Sequence, residues 1–134
     1  MKDPMVCSWK IFADAGVCGV RITGLKLVSE ANQREHYMAK YKRNKVQQAV
    51  TLLALRGLDP VGMLGQELVI TLTRIAPRAL DSDNLAGSFK HTQDAIAKHI
   101  RIDDGDRRLE WRYQQAKGKY GVEVRMERKQ RGAA

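Results

Sequence analysis

Two cysteines, three prolines, three histidines and 6% aromatic residues are all that this 134-residue chain carries of the types that usually mark secreted scaffolds, zinc modules or aromatic binding platforms. Cys7 and Cys18 match neither a metal-ligand spacing nor a multi-bridge framework, which points to a reducing, cytoplasmic setting. His36, His91 and His99 form no i, i+4 pair for zinc. The longest apolar run, Ala49 to Leu55, is far shorter than the roughly 20 residues of a membrane helix, and no signal-peptide pattern opens the chain. Neither export nor membrane insertion is expected. There is no glycine-rich phosphate loop, nucleophile elbow or Cys–His pairing, so nucleotide hydrolysis and covalent catalysis have no carrier.

Acidic residues are also in short supply, with 15 Asp and Glu against 24 Lys and Arg and a formal net charge of +9. Such an excess suits a polyanionic partner, because cations that neutralise phosphates release counterions. Composition alone fits a merely basic protein equally well. With 43% hydrophobic residues, a chain of this length can build one domain with a true core.

The periodicities predict an α+β domain in the order β-α-β-α-β-β, a mixed four-stranded sheet covered by two helices. Trp9 to Ala13 has the composition of a short strand, but Cys18 to Val28 is the clearer first strand, with Val20 and Ile22 alternating and Gly24 marking a bulge. Asn32 and Glu35 read as a capping box that opens a helix to Leu55, whose expected buried stripe is Met38, Val46, Ala49, Val50 and Leu53. Gln66 to Ile75 reads as a strand with Leu68, Ile70 and Leu72 on one face, ended by Pro77. A helix over 84–98 follows, burying Leu85, Phe89, Thr92 and Ile96. Leu109, Trp111 and Tyr113 then alternate with polar residues, as do Val122, Val124 and Met126, and the Lys117-Gly118-Lys119 turn between them predicts a hairpin. Residues 1–8 and 128–134 read as irregular ends.

Against the basic background, Asp81-Ser82-Asp83 and Asp103-Asp104-Gly105-Asp106 stand out. Singly, Asp83 reads as a helix N-cap, Asp104-Gly105 as a turn and Asp94 as a solvated helix residue. An EF-hand fails, since Ala86 and Thr92 occupy the glycine and bidentate-Glu positions. Jointly, two carboxylates at i and i+2 of extended chain project to one side. A helix of about 14 residues is about 21 Å long, and the extended chain from Lys98 to Asp104 spans about the same distance back. Asp81, Asp83 and Asp104 then form a site for a hard cation, with Asp103 the alternative ligand because adjacent residues of extended chain face opposite sides. Asp94, about 16 Å along the helix from Asp83, is left outside this set.

Leu80-Asp81-Ser82-Asp83-Asn84-Leu85, with Lys90, Asp94-Ala95-Ile96 and Ile102-Asp103-Asp104, resembles the RusA family of Holliday junction resolvases. Ser29, Asn32 and Arg34 are similar to that family's loop before the first helix. The resemblance implies a RusA-like fold over most of residues 18–127 and a small, dimeric, Mg²⁺-dependent endonuclease of phage or prophage origin that nicks four-way DNA junctions symmetrically. By position it implies that Asp81, Asp83 and Asp104 bind the metal, with Mn²⁺ as a substitute, and that Lys90 stands near the scissile phosphate. Lys90 follows the Asn-Leu pair by nearly one turn more than the family pattern.

Two basic groups are candidate DNA contacts: Arg34, Lys40, Lys42, Arg43 and Lys45 on the first helix and its approach, and Arg107, Arg108 and Arg112 beside the acidic block. Solvated helix faces explain such runs equally well. Tyr37 and Tyr41 fit core packing better than base stacking. A homodimer is expected from the two-fold symmetry of a junction, with the Trp111–Tyr113 strand or the Met38 helix as its contact. The rival reading is a DNA-binding protein without productive metal geometry.

Overall fold

A computed structural model of the protein describes residues 7–14, 16–27, 37–58 and 67–129. The expected strand 18–28 is the second of an antiparallel pair, β1 (Ser8–Asp14) and β2 (Val17–Thr23), so the short Trp9–Ala13 segment is a strand after all. Gly16 turns the pair at φ +75°, a conformation that favours glycine. The remaining elements are α1 (Tyr37–Leu55), β3 (Leu68–Ala76), α2 (Ser82–Ser88), α3 (Lys90–Ile100), β4 (Leu109–Lys117) and β5 (Gly121–Arg128). The class is α+β as expected, and the described residues form a five-stranded mixed sheet and three helices in place of four strands and two helices. The proposed capping box at Asn32 and Glu35 lies outside the described residues.

The sheet order is β1-β2-β5-β3-β4. β4 and β5 therefore form no paired hairpin. β3 inserts between them, parallel to β4 and antiparallel to β5. Eight of its nine positions are buried in Leu68–Ala76, and only a central strand can bury both faces. The alternation of β4 and β5 reports which side chains face the helices but not which strand lies alongside, so a split pair and a hairpin read alike.

All three helices cover one face of the sheet. Its core joins Val20, Ile22, Ile70, Leu72, Val122, Val124 and Met126 to Leu55, Leu85, Phe89, Ile96 and Ile100. No helix among the described residues covers the opposite face. There Gly19 lies under the Phe12 ring, and a Cβ at Gly19 would come within 2.4 Å of that ring.

Helix α1 does not bury its expected stripe. Of that stripe only Val50 packs, half-buried, against the core; Ala49 is exposed, Met38, Val46 and Leu53 are each more than two-fifths exposed, and the inward face carries Gln47, Thr51, Ala54 and Leu55. The reason is a polar seam to the second helical segment: Gln47 Nε2 donates to Thr92 Oγ1 at 3.0 Å and to Ser88 O at 3.5 Å. Gln48 pairs with His91 at 3.3 Å, and His99 reaches Leu58 O at 3.0 Å. Satisfied polar groups can occupy a buried helix face, and an apolar-periodicity reading assigns that face to the other side. No helix among the described residues is long and apolar enough to cross a membrane.

Candidate metal and nucleic-acid site

The expected helix over 84–98 is broken in two. Gly87 and Ser88 are weak helix formers, and Ser88 Oγ turns back to Leu85 O at 2.7 Å. Phe89 stands at the joint with φ −93° and ψ 1°, fully buried and stacked on Tyr113 with ring centroids 5.6 Å apart. Helix α2 begins at Ser82, with Asp81 as its N-cap: Asp81 Oδ1 accepts from Asn84 N at 2.9 Å. The cap is thus Asp81 and not Asp83. Because Asp83 is already in the helix, the two carboxylates do not share one side as they would in extended chain; residues i and i+2 of a helix do not face each other. Both are exposed.

After α3 the chain turns sharply. Arg101 caps the helix in the left-handed conformation at φ 58°, with its N–H on Lys98 O, and Ile102 N donates to Ala97 O. Ile102 is buried. The segment 98–104 is therefore helix and cap, not extended chain, and it returns only about as far as Asp94. The Asp103 and Asp104 carboxyl groups are close enough to bond when one of them is protonated. Gly105 N donates to Asp103 Oδ1 at 3.0 Å. That backbone bond holds Asp103 below the usual carboxylate range. The bond from Asp103 raises Asp104, to which desolvation and the nearby charge of Asp94 add. The sequence excluded Asp94, which the αL turn brings into the acidic neighbourhood; an arginine at that position gives no glycine signal for the turn.

Strand β4 sets the spacing of these segments. On its helix-side face Trp111 Nε1 donates to Asp104 O at 2.8 Å, Tyr113 Oη donates to Gln93 Oε1 at 2.9 Å, and Gln115 closes two bonds with the backbone of Leu80, at 2.9 and 2.8 Å. Successive same-face residues lie about 6.6 Å apart, so the anchor of Asp104 and that of Asp81 are about 13 Å apart along the strand. No group of three His, Cys, Asp or Glu side chains that could hold a metal ion occurs among the described residues. Asp81, Asp83 and Asp104 thus line one edge without converging on one point. Their exposed carboxylate oxygens are the donor type that Mg²⁺ takes, and an ion that keeps several waters needs only one or two of them directly.

Arg74 supports the Asp81 end from within. It is 6% exposed on the helix-side face of β3, its Nε donating to Leu27 O at 3.2 Å and its Nη1 to Arg78 O at 2.8 Å. Burial lowers its pKa, opposed in part by Tyr120. This guanidinium ties the exit of β2 to the loop before Asp81. No residue pattern marks it, because an Arg at the end of an apolar strand reads as exposed.

The candidate basic residues divide. Lys40, Lys42 and Lys45 are exposed on α1 and Arg43 is half-buried there, while Arg34 lies outside the described residues. Lys90 is exposed at the start of α3, one turn before Asp94 on the same strip. Arg107 is exposed next to the acidic turn. Arg108 makes a two-point pair with Asp106, at 3.0 and 2.9 Å, and these bonds hold the Asp106 carboxyl at about 2. Arg112 pairs with Glu110 at 2.7 Å and lies on the opposite sheet face from Trp111, away from Asp104.

No protein-family model matches the chain, and no curated protein matches it significantly.

Proposed function

We propose that this protein is a divalent-metal-dependent endonuclease that acts on branched DNA, a Holliday junction resolvase of the RusA type working in the cytoplasm of a bacterial cell. The observation that carries this reading is the face of β4, where Trp111, Tyr113 and Gln115 hold the segments bearing Asp104, Asp94 and Asp81 along one exposed edge of a strongly basic chain. Asp81, whose Oδ1 caps α2, would hold Mg²⁺ or Mn²⁺ from one side of the helix start and Asp83 from another, with Asp104, or Asp103 in its place, facing them through the ion's waters. When bound, the ion supplies an activated water and neutralises charge on the leaving 3′ oxygen. Lys90 provides a positive charge on the strip beside Asp94, suited to a phosphate oxygen. The basic strip of α1 provides the long-range attraction to DNA.

Paired nicks in opposing strands need two centres related by a two-fold axis, and each chain carries one acidic edge. The outward face of α1, with Met38, Tyr41, Val46 and Leu53 exposed, supports dimerisation through that helix. Trp111 and Tyr113, the other candidate contact, pack instead against the core.

Incubation of the purified protein with a labelled four-way junction and Mg²⁺ tests the reading. Symmetric nicks that vanish with chelator are expected. Junction binding without nicking under Mg²⁺ or Mn²⁺ would favour the second reading, a structure-selective DNA-binding protein, which the separation of the carboxylates along β4 supports.

A further inference from the structure

The strand register aligns Ser8, Thr23, Gly121, Ile75 and Ala116 in one row across all five strands, at the end of the sheet where β3 and β4 finish. The row is on the open face, and apart from Ile75 its side chains are short. It forms the floor of a trough. Three adjoining depressions of about 300, 350 and 210 Å³ follow it from β1 to the loop after β3. The first two share Arg21 and Thr23, and the last two share Ala116 and Lys117. Their walls carry Lys10, Arg21, Lys117 and Lys119 and no Asp or Glu. None of these four cations forms an ion pair among the described residues. The nearest acid in the sheet register is Glu123, opposite Arg21, and it does not line the trough.

One wall is the crossover from β4 to β5, which is fixed at both ends. Gly118 N donates to Ala76 O at 3.1 Å, and Gly24 N donates to Tyr120 O at 2.8 Å. Tyr120 is 36% exposed there, with Lys26 Nζ 5.0 Å from its ring centre. The last depression ends at Gln115, the residue that holds Leu80 beside Asp81.

The geometry points to a binding groove for a single polynucleotide strand, running across the open end of the sheet and delivering its backbone to the Asp81 edge. Five strands at a spacing of about 4.8 Å make the groove about 19 Å long, the axial length of roughly five or six phosphates of one DNA strand. Four unpaired cations without a carboxylate suit phosphates, and an exposed tyrosine held by a fixed loop suits a stacked base. The inference rests on the endonuclease reading for its choice of nucleic acid among polyanions. It differs in site from the basic helix α1.

Fluorescence anisotropy with a short labelled single-stranded DNA tests it, using the full chain without divalent ions. Lys117→Gln combined with Lys119→Gln should make the slope of log affinity against log salt shallower by about 1.4, and should reduce the fall in affinity between 50 and 200 mM salt by about sevenfold. Tyr120→Ser should weaken binding by about fivefold or more at fixed salt, and Tyr120→Phe should restore it. An unchanged slope in the double variant, or poly-glutamate displacing the strand as well as unlabelled DNA does, would overturn the groove. A protein that fails to nick junctions but shows these changes would retain the groove and lose the endonuclease reading.

Discussion

Replacing Phe89 by alanine removes the joint between the two helical segments that carry Asp81 and Asp94. The ring is fully buried, lies among the largest core side chains and stacks on Tyr113 at an interplanar angle of 15°. Truncating a buried Phe costs about 3–5 kcal/mol through lost transfer energy and the cavity left behind. The stacked pair contributes about 0.5–1.5 kcal/mol beyond buried area, which places the expected loss in the upper part of that range. Against a typical total of about 5–15 kcal/mol this is a large fraction, equivalent to a Tm decrease of roughly 10–20 °C for a chain of this size. Urea unfolding followed by tryptophan fluorescence, with calorimetry beside it, measures the effect. Phe89→Leu, which keeps most of the volume, should cost much less. A loss below about 1 kcal/mol for Phe89→Ala would refute the account of the joint, because a cavity of that size cannot be neutral in a packed core.

Asp81→Asn should abolish most junction cleavage and leave Tm nearly unchanged, because Asn caps a helix about as well as Asp, whereas Asp81→Ala should also lose about 1 kcal/mol of stability; activity and melting curves of the two variants separate the roles. Gly19→Ala should destabilise the sheet by at least about 1–3 kcal/mol, since its Cβ would meet Val124 O at 2.0 Å in addition to the Phe12 ring, and a wild-type melting curve would contradict the register. Asp106 is held at about 2 by Arg108, below its unfolded value of about 3.9, so its contribution is present above pH 4 and lost as pH falls through 2. The Tm difference between wild type and Asp106→Asn should therefore shrink steadily across that window, and a difference independent of pH would show that the pair adds nothing.

Much of the fold was legible where one face of an element is apolar. Val20 and Ile22, Leu68, Ile70 and Leu72, and Val122, Val124 and Met126 all lie inside as their alternation predicts. Legibility failed where polar groups satisfy each other inside. Gln47 and Thr51 are buried at a helix interface, against a Thr92 that the pattern did place inside, and this turned the outward face of α1 into the apparent core stripe. Neighbour choice in the sheet was also hidden, since alternation is blind to the strand that splits β4 from β5. At the candidate site the acidic residues were visible as islands in a basic chain. Their spacing was not, because it depends on Asp81 capping α2, on the joint at Phe89 and on a left-handed arginine at position 101. The supporting residues Arg74, Tyr113 and Gln115 act through backbone carbonyls and single side-chain bonds that carry no sequence pattern.

The proposed endonuclease uses one divalent ion at the β4-ordered edge, held directly by the carboxylates of one segment and through its waters by those of the other. Titrating Mn²⁺ into isotope-labelled protein and following paramagnetic broadening of the amide resonances tests this arrangement. Amides of 81–84 and of 103–105 should broaden at a common midpoint, and Asp104→Asn should move that midpoint to higher Mn²⁺ for both segments. Broadening of one segment alone, or of the two at unrelated midpoints, would contradict a shared ion.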